Sequence, residues 1–171
     1  MATNPSAATG GDLLEQLRQD HLKVDELFAR FSEAEGDGEK LRIVQQIYLE
    51  LIPHATAEEE IFYPALRDAG DAEVDDDVAE AYNEHAAAKK TLEAILRGDP
   101  DDMTYDMKVK MLQKAIQHHV REEETALFQE ARDLGLDLAS LDRRVLARKM
   151  ELKQLLQTEL QSGRTIDGTR D

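Results

Sequence analysis

His54-Ala55-Thr56-Ala57-Glu58-Glu59-Glu60-Ile61-Phe62-Tyr63-Pro64 and His119-Val120-Arg121-Glu122-Glu123-Glu124-Thr125-Ala126-Leu127-Phe128-Gln129 are two versions of one stretch. Each places a glutamate four residues after a histidine. On an α-helix those two side chains stand one above the other, so each stretch can present an imidazole and a carboxylate to one point. Apolar residues continue the same face on both sides. The second stretch lies on Tyr105, Val109, Leu112, Ile116, His119, Glu123 and Leu127, and the first on Val44, Ile47, Leu51, His54, Glu58, Ile61 and Ala65. Steps of 3 and 4 mark one helical face turned to a core.

Two further segments carry a histidine on an apolar face without a glutamate. One is Leu14, Leu17, His21, Val24, Phe28 and Phe31, with Asp12 as its N-cap. The other is Val78, Ala81, His85, Ala88, Leu92 and Ile95. Breakers at Glu35-Gly36-Asp37-Gly38, Asp68-Ala69-Gly70-Asp71, Gly98-Asp99-Pro100-Asp101-Asp102 and Gly135 separate the helices. Pro53 removes a backbone donor, so a kink or split is expected just before His54. Short connections predict antiparallel neighbours and an all-α, up-down-up-down four-helix bundle. A fifth amphipathic helix is expected over about residues 138–160, with Leu138, Leu141, Val145, Met150 and Leu156 among its apolar residues. It packs on the bundle or on a partner helix, and a homodimer through it is a further expectation. Residues 1–11 read as a flexible leader, 12–160 as the bundle with its fifth helix, and 161–171 as a disordered tail.

The two halves repeat. His21 and His85 are 64 residues apart; His54 and His119, like Glu58 and Glu123, are 65 apart. Folding the halves about a pseudo-two-fold axis gathers four imidazoles and two carboxylates, which suits two metal ions bridged by glutamates. Six polar groups left unpaired in a core would cost about 1–3 kcal/mol each, and more for charged glutamates. A metal pair supplies the missing partners, so the candidate ligands are His21, His54, Glu58, His85, His119 and Glu123. His118/Glu122 has the same spacing, but its face through Met111, Lys114, Thr125 and Gln129 is largely polar, so His118 is read as solvent-facing or as a residue that supports the ligands from outside. Glu59, Glu60, Glu122 and Glu124 are read as a solvated rim.

Composition narrows the function classes. The 171-residue chain has a formal net charge of -16, which repels phosphate backbones and anionic membrane surfaces. It has no cysteine, so thiolate metal sites and disulfides are excluded. It has no tryptophan, and aromatics make up 5% of its residues, which argues against a large aromatic ligand pocket. No apolar run approaches the roughly 20 residues that span a bilayer. The N-terminus lacks the basic and apolar regions of a signal peptide, so a cytoplasmic location is expected.

The strings DHLKVDELF, HATAEEEIFYP, NEHAAAKKTLEAI and HHVREEETALF resemble the hemerythrin / HHE cation-binding family over roughly residues 12–132. The resemblance implies a non-haem di-iron centre on the same six residues. His and carboxylate ligation permits iron or manganese, zinc being less natural at a bridged pair; the choice of iron rests on the resemblance. The oxygen carriers of that family have a fifth histidine one turn after the third, where this chain has Lys89. They also close with a more distant Asp, whereas this chain has Glu123. The pattern is closer to the bacterial four-His, two-Glu branch. Coordination room is then left at the second metal for water, an oxo bridge or a side chain, with Tyr82 as a candidate. The implied function is to bind, and to react with or sense, H2O2, O2 or NO, including catalase-like peroxide disproportionation. Iron storage or donation, iron sensing and reversible O2 binding are the alternatives.

Overall fold

The structure is a computed structural model that describes residues 12–162; the flexible leader expected over 1–11 lies outside those residues, and so does the disordered tail expected over 161–171 except for Gln161, which is helical, and Ser162, which is in a turn. Helix α1 spans Leu13–Glu33, and its first turn is held by Asp12, whose carboxylate accepts from the Leu14 amide at 3.1 Å. Helix α2 spans Asp37–Ala57 and continues through a π-helical turn, Glu58–Phe62, into α3, Tyr63–Ala69. Helix α4 spans Ala72–Leu96, capped by Asp71. Helix α5 spans Tyr105–Glu122 and runs through a second π turn, Glu123–Leu127, into α6, Phe128–Asp133. Helix α7 spans Leu138–Gln161.

Helix α1 packs on α2, α2 on α4, α4 on α5, and α5 back on α1. That closed ring is the expected four-helix bundle. The fifth helix lies across α1, α2 and the first π turn. Only part of its expected apolar stripe is used. Leu141 and Val145 are buried, whereas Met150 is 65% exposed. Lys149 and Lys153 take inner positions instead, and ion pairs to Asp20 of α1 and Glu50 of α2 hold them there.

Two differences from the expected elements bear on the site. Pro53 does not split α2, which runs unbroken through it. A helical proline costs about 3 kcal/mol, and α2 is packed against α1, α4 and α7 along its length. The helix departs from α geometry later, at Glu58. There the Tyr63 amide reaches back five residues to the Glu58 carbonyl, and the Phe128 amide reaches the Glu123 carbonyl in the same way. A π turn inserts one residue and rotates everything after it. The residues buried beyond Glu58 are therefore Phe62, Tyr63 and Leu66, while Ile61 and Ala65 are only half-buried.

The core is two apolar clusters with a polar layer between them. One contains Leu13, Leu17, Phe62, Tyr63, Leu66 and Phe128; the other contains Val24, Phe28, Ile47, Leu92, Leu112 and Ile116. His21, His54, Glu58, His85, His119 and Glu123 fill the layer, all 9% exposed or less.

Chain reversals at the cluster ends have local causes. Gly135, at φ 66°, ends α6 with Leu136 donating to Ala131 and Gly135 to Arg132, a Schellman closure. Gly70 ends α3 where an added Cβ would lie 2.6 Å from the Val74 Cβ and 2.9 Å from the Leu66 carbonyl. Gly70→Ala is predicted to lower unfolding stability by about 1–3 kcal/mol through that overlap, measured by urea denaturation. Wild-type stability in this variant would contradict the packing described.

Candidate metal centre

The four buried imidazoles are oriented by carboxylates on their outer nitrogens. His21 Nδ1 meets Glu124 at 2.8 Å, His54 Nδ1 meets Asp20 at 3.0 Å, His85 Nδ1 meets Glu59 at 3.0 Å and His119 Nδ1 meets Glu84 at 2.7 Å. A carboxylate accepts, so each Nδ1 carries the proton and each Nε2 points inward. The inner atoms converge in pairs. His21 and His54 Nε2 are 3.2 Å apart, and His85 and His119 Nε2 are 2.9 Å apart. Two facing lone pairs repel, so a proton or a cation is required between them.

Glu58 lies between the two pairs. Its Oε1 is 3.1 Å from His54 Nε2 and its Oε2 is 3.5 Å from His85 Nε2. Glu123 Oε2 is 3.3 Å from His21 Nε2 and 3.8 Å from His119 Nε2. The ligand atoms of His21, His54, Glu58 and Glu123 form one group, and those of Glu58, His85 and His119 a second. All six residues singled out in the sequence are thus brought together, with Glu58 common to both groups.

Both Glu58 oxygens and Glu123 Oε2 are buried without a hydrogen bond. Unpartnered carboxylate oxygens at this depth are costly, and the donor set of imidazole and carboxylate is one that a transition-metal cation satisfies. The residues fit a metal pair. Electrostatics express the same demand for positive charge. Burial favours a neutral His54 ring, but Glu58 and Asp20 outweigh it and push the ring up to about 10. Burial likewise opposes charge on Glu123, yet His21, His119 and His54 hold it well below the usual carboxylate range.

Several expectations need correction. Tyr82 does not reach the centre; its hydroxyl donates to the Glu59 carbonyl at 2.7 Å. Tyr63 is there instead. Its hydroxyl donates to Glu123 Oε1 at 3.0 Å and lies 3.3 Å from His85 Nε2. The π turn moves Tyr63 onto the Glu58 face, where α-helical steps of 3 and 4 do not place it. Glu59 and Glu124 are not a solvated rim, because they orient His85 and His21. Glu60 and Glu122 are exposed as expected, at 44% and 48%, and so is His118 at 53%. Lys89 donates to Glu59 at 2.7 Å and so steadies the carboxylate that holds His85.

The four orienting carboxylates had a sequence signal. Asp20 and Glu84 are 64 residues apart and Glu59 and Glu124 are 65 apart, the same offsets as the histidines and glutamates they flank. Tyr63 breaks that symmetry, because its counterpart at the same offset is Phe128, stacked on His21 with ring centroids 6.2 Å apart.

Helix α7 touches this network through Lys149, which ion-pairs with the Asp20 carboxylate that holds His54. Burial raises the Asp20 carboxyl, but His54 and then Lys149 outweigh it and hold it at about 2. A depressed carboxyl contributes stability above its unfolded pKa of about 3.9, and that stability is lost as pH falls toward about 2. Lys149→Met should raise the Asp20 pKa and move acid unfolding of the metal-free protein to higher pH. The expected loss at pH 7 is about 1 kcal/mol. An unchanged acid midpoint by circular dichroism would show that the ion pair does not reach the site.

The hemerythrin HHE cation binding domain family matches residues 12–131 of the chain. A crystal structure of a hemerythrin HHE cation binding domain-containing protein from Mycobacterium kansasii aligns with a TM-score of 0.77. The alignment covers 93% of this chain and 95% of that one at 21% identity, so the likeness is one of fold. A curated relative from Nostoc sp., named DNA nickase, is 34% identical over 113 residues, 66% of this chain and 31% of the relative. The chain therefore spans under a third of that relative's length. Among the described residues, no helix is long and apolar enough to cross a membrane. With four histidines and two glutamates gathered in the core of a helical bundle, the chain belongs to the hemerythrin HHE family of cation-binding domains.

Proposed function

We propose that the buried layer holds two iron ions and that the protein uses them on H2O2, O2 or NO, with peroxide disproportionation as the leading activity. The observation that carries the reading is the convergence of four Nε2 atoms on two glutamates whose inner oxygens have no hydrogen bond. His21, His54, Glu58 and Glu123 would hold one ion. His85, His119 and Glu58 would hold the other, with the Tyr63 hydroxyl beside it. The metal pair would supply the reversible electron transfers that turning two H2O2 into two H2O and O2 requires.

The chain supports small substrates over large ones. A cavity of about 30 Å3 adjoins His21, His54, His85 and His119 and is walled by Val24, Leu51 and other apolar side chains. A single water needs roughly 10–15 Å3 measured this way. A cavity of that size admits a diatomic or a peroxide. Tyr63 keeps its proton, because burial and the charges of Glu123 and Glu58 push its phenol well above the usual range. It can therefore donate a hydrogen bond at the edge of the centre.

Lys89 in place of a further histidine leaves the second group with two nitrogen ligands rather than three, which favours reaction over reversible O2 carriage. The activity named for the Nostoc relative is not carried over. The net charge of -16 opposes binding to a polyanion.

The test is oxygen evolution from H2O2 by iron-loaded protein, followed with an oxygen electrode. Sustained O2 release above that of free iron, abolished by His119→Ala, is expected. Tyr63→Phe should retain iron and lower the rate by roughly tenfold, the kinetic equivalent of losing one hydrogen bond of about 1.4 kcal/mol. A fully loaded protein that releases no O2 would overturn the catalytic reading and leave iron storage or sensing.

A further inference from the structure

We propose that the acidic groove between α4 and the second π turn is the route by which a divalent cation reaches the buried centre, and that Glu84, His118 and Glu122 form a docking site at its mouth. The proposal rests on the reading that the six buried residues hold metal.

The groove encloses about 270 Å3. Asp77, Glu80, Glu84 and Glu122 line its walls, and His119 and Glu123 form its floor. Among the described residues, no lysine or arginine lines it. Asp77 also crowds Glu130, whose carboxyl is pushed up to about 7 by burial and then by Asp77. Four carboxylates on low-dielectric walls focus negative potential and raise the local cation concentration.

A second observation points to a ligand. Glu123 is 1% exposed, and its Oε2 accepts no hydrogen bond although His21 Nε2 is 3.3 Å away. Glu123, which lines the groove, thus turns an unpartnered oxygen inward to His21 and His119, so the residue links the acidic path to the centre. The mouth has its own three-residue set. His118 Nε2 lies 3.2 Å from Glu122 and 3.5 Å from Glu84 Oε1, and ligand atoms of all three fall within 4.8 Å of one another. Glu84 joins the two levels, because its other oxygen holds His119 Nδ1 at 2.7 Å. A cation on the outer set is therefore one side chain from an inner ligand.

The other openings are poorer routes. The groove beside His21 is larger, at about 450 Å3, but Arg121 lines it. Its Glu124 lies 3.5 Å from Arg18, and its Asp25 accepts from Gln117. The cavity of about 30 Å3 is mostly apolar and does not suit a hydrated cation. The structure thus separates a polar path for the metal from an apolar space for a neutral small molecule.

The test is the rate at which metal-free protein takes up Co2+, read from the cobalt absorption bands in a stopped-flow instrument, with bound metal per chain measured at the end. The variants are His118→Ala/Glu122→Gln in one groove and Asp25→Asn in the other. All three are surface positions outside the buried layer.

The double variant is expected to load about tenfold more slowly at low salt, the lower end of electrostatic steering, and to reach the wild-type end point. Asp25→Asn should load at the wild-type rate. Raising the salt should slow the wild type and narrow its lead over the double variant. Equal rates with a normal end point, or slowing by Asp25→Asn alone, would overturn the route while leaving the buried site intact. Failure of the wild type to bind Co2+ would overturn the metal reading and the route with it.

Discussion

Each of four buried imidazoles donates its outer N–H to a carboxylate, and the rest of the site depends on that choice of nitrogen. Asp20, Glu59, Glu84 and Glu124 fix which ring atom faces the core and how the ring is turned. Without them a histidine at an inward position would be an ordinary core residue with two interchangeable nitrogens. With them, four Nε2 atoms are aimed at a space that only positive charge makes stable. The bundle tolerates this polar layer because large apolar clusters close it off on both sides.

The arrangement weaves the helices together. Asp20 on α1 holds His54 on α2, and Glu84 on α4 holds His119 on α5. Glu59 on the first π turn crosses to His85 on α4, and Glu124 on the second π turn crosses to His21 on α1. Each half of the molecule is thus tied within itself and to the other half through the rings that face the centre. The pseudo-two-fold repeat extends from the inner residues to these partners. It fails where Tyr63 on one side faces Phe128 on the other. That hydroxyl is one difference between two groups that also differ in candidate ligands, four in the first and three in the second.

Much of this was legible in the sequence, for reasons that also explain what was not. The six inner residues fall on regular helical steps, and an i, i+4 pair such as His119 and Glu123 keeps its meaning in any α-helix. Choosing His119 over His118 followed from the apolar neighbours of one and the polar neighbours of the other. Tyr63 escaped because a π turn begins at Glu58 and changes the period from 3.6 to a longer one within five residues. The roles of Glu59 and Glu124 escaped because they act across helices, and spacing along one helix carries no information about its neighbour. Of the kink or split expected at Pro53, the split is absent, because packing on three sides holds the helix together there.

The proposed pair of metal ions would share Glu58, the residue common to both groups of candidate ligands. The most direct measurement is metal content per folded chain after iron loading and removal of excess, for the wild type and for Glu58→Ala. Two irons per wild-type chain, falling to one or none in the variant while circular dichroism still shows a helical fold, is the predicted result. A single iron in the wild type, or two irons retained without Glu58, would contradict it.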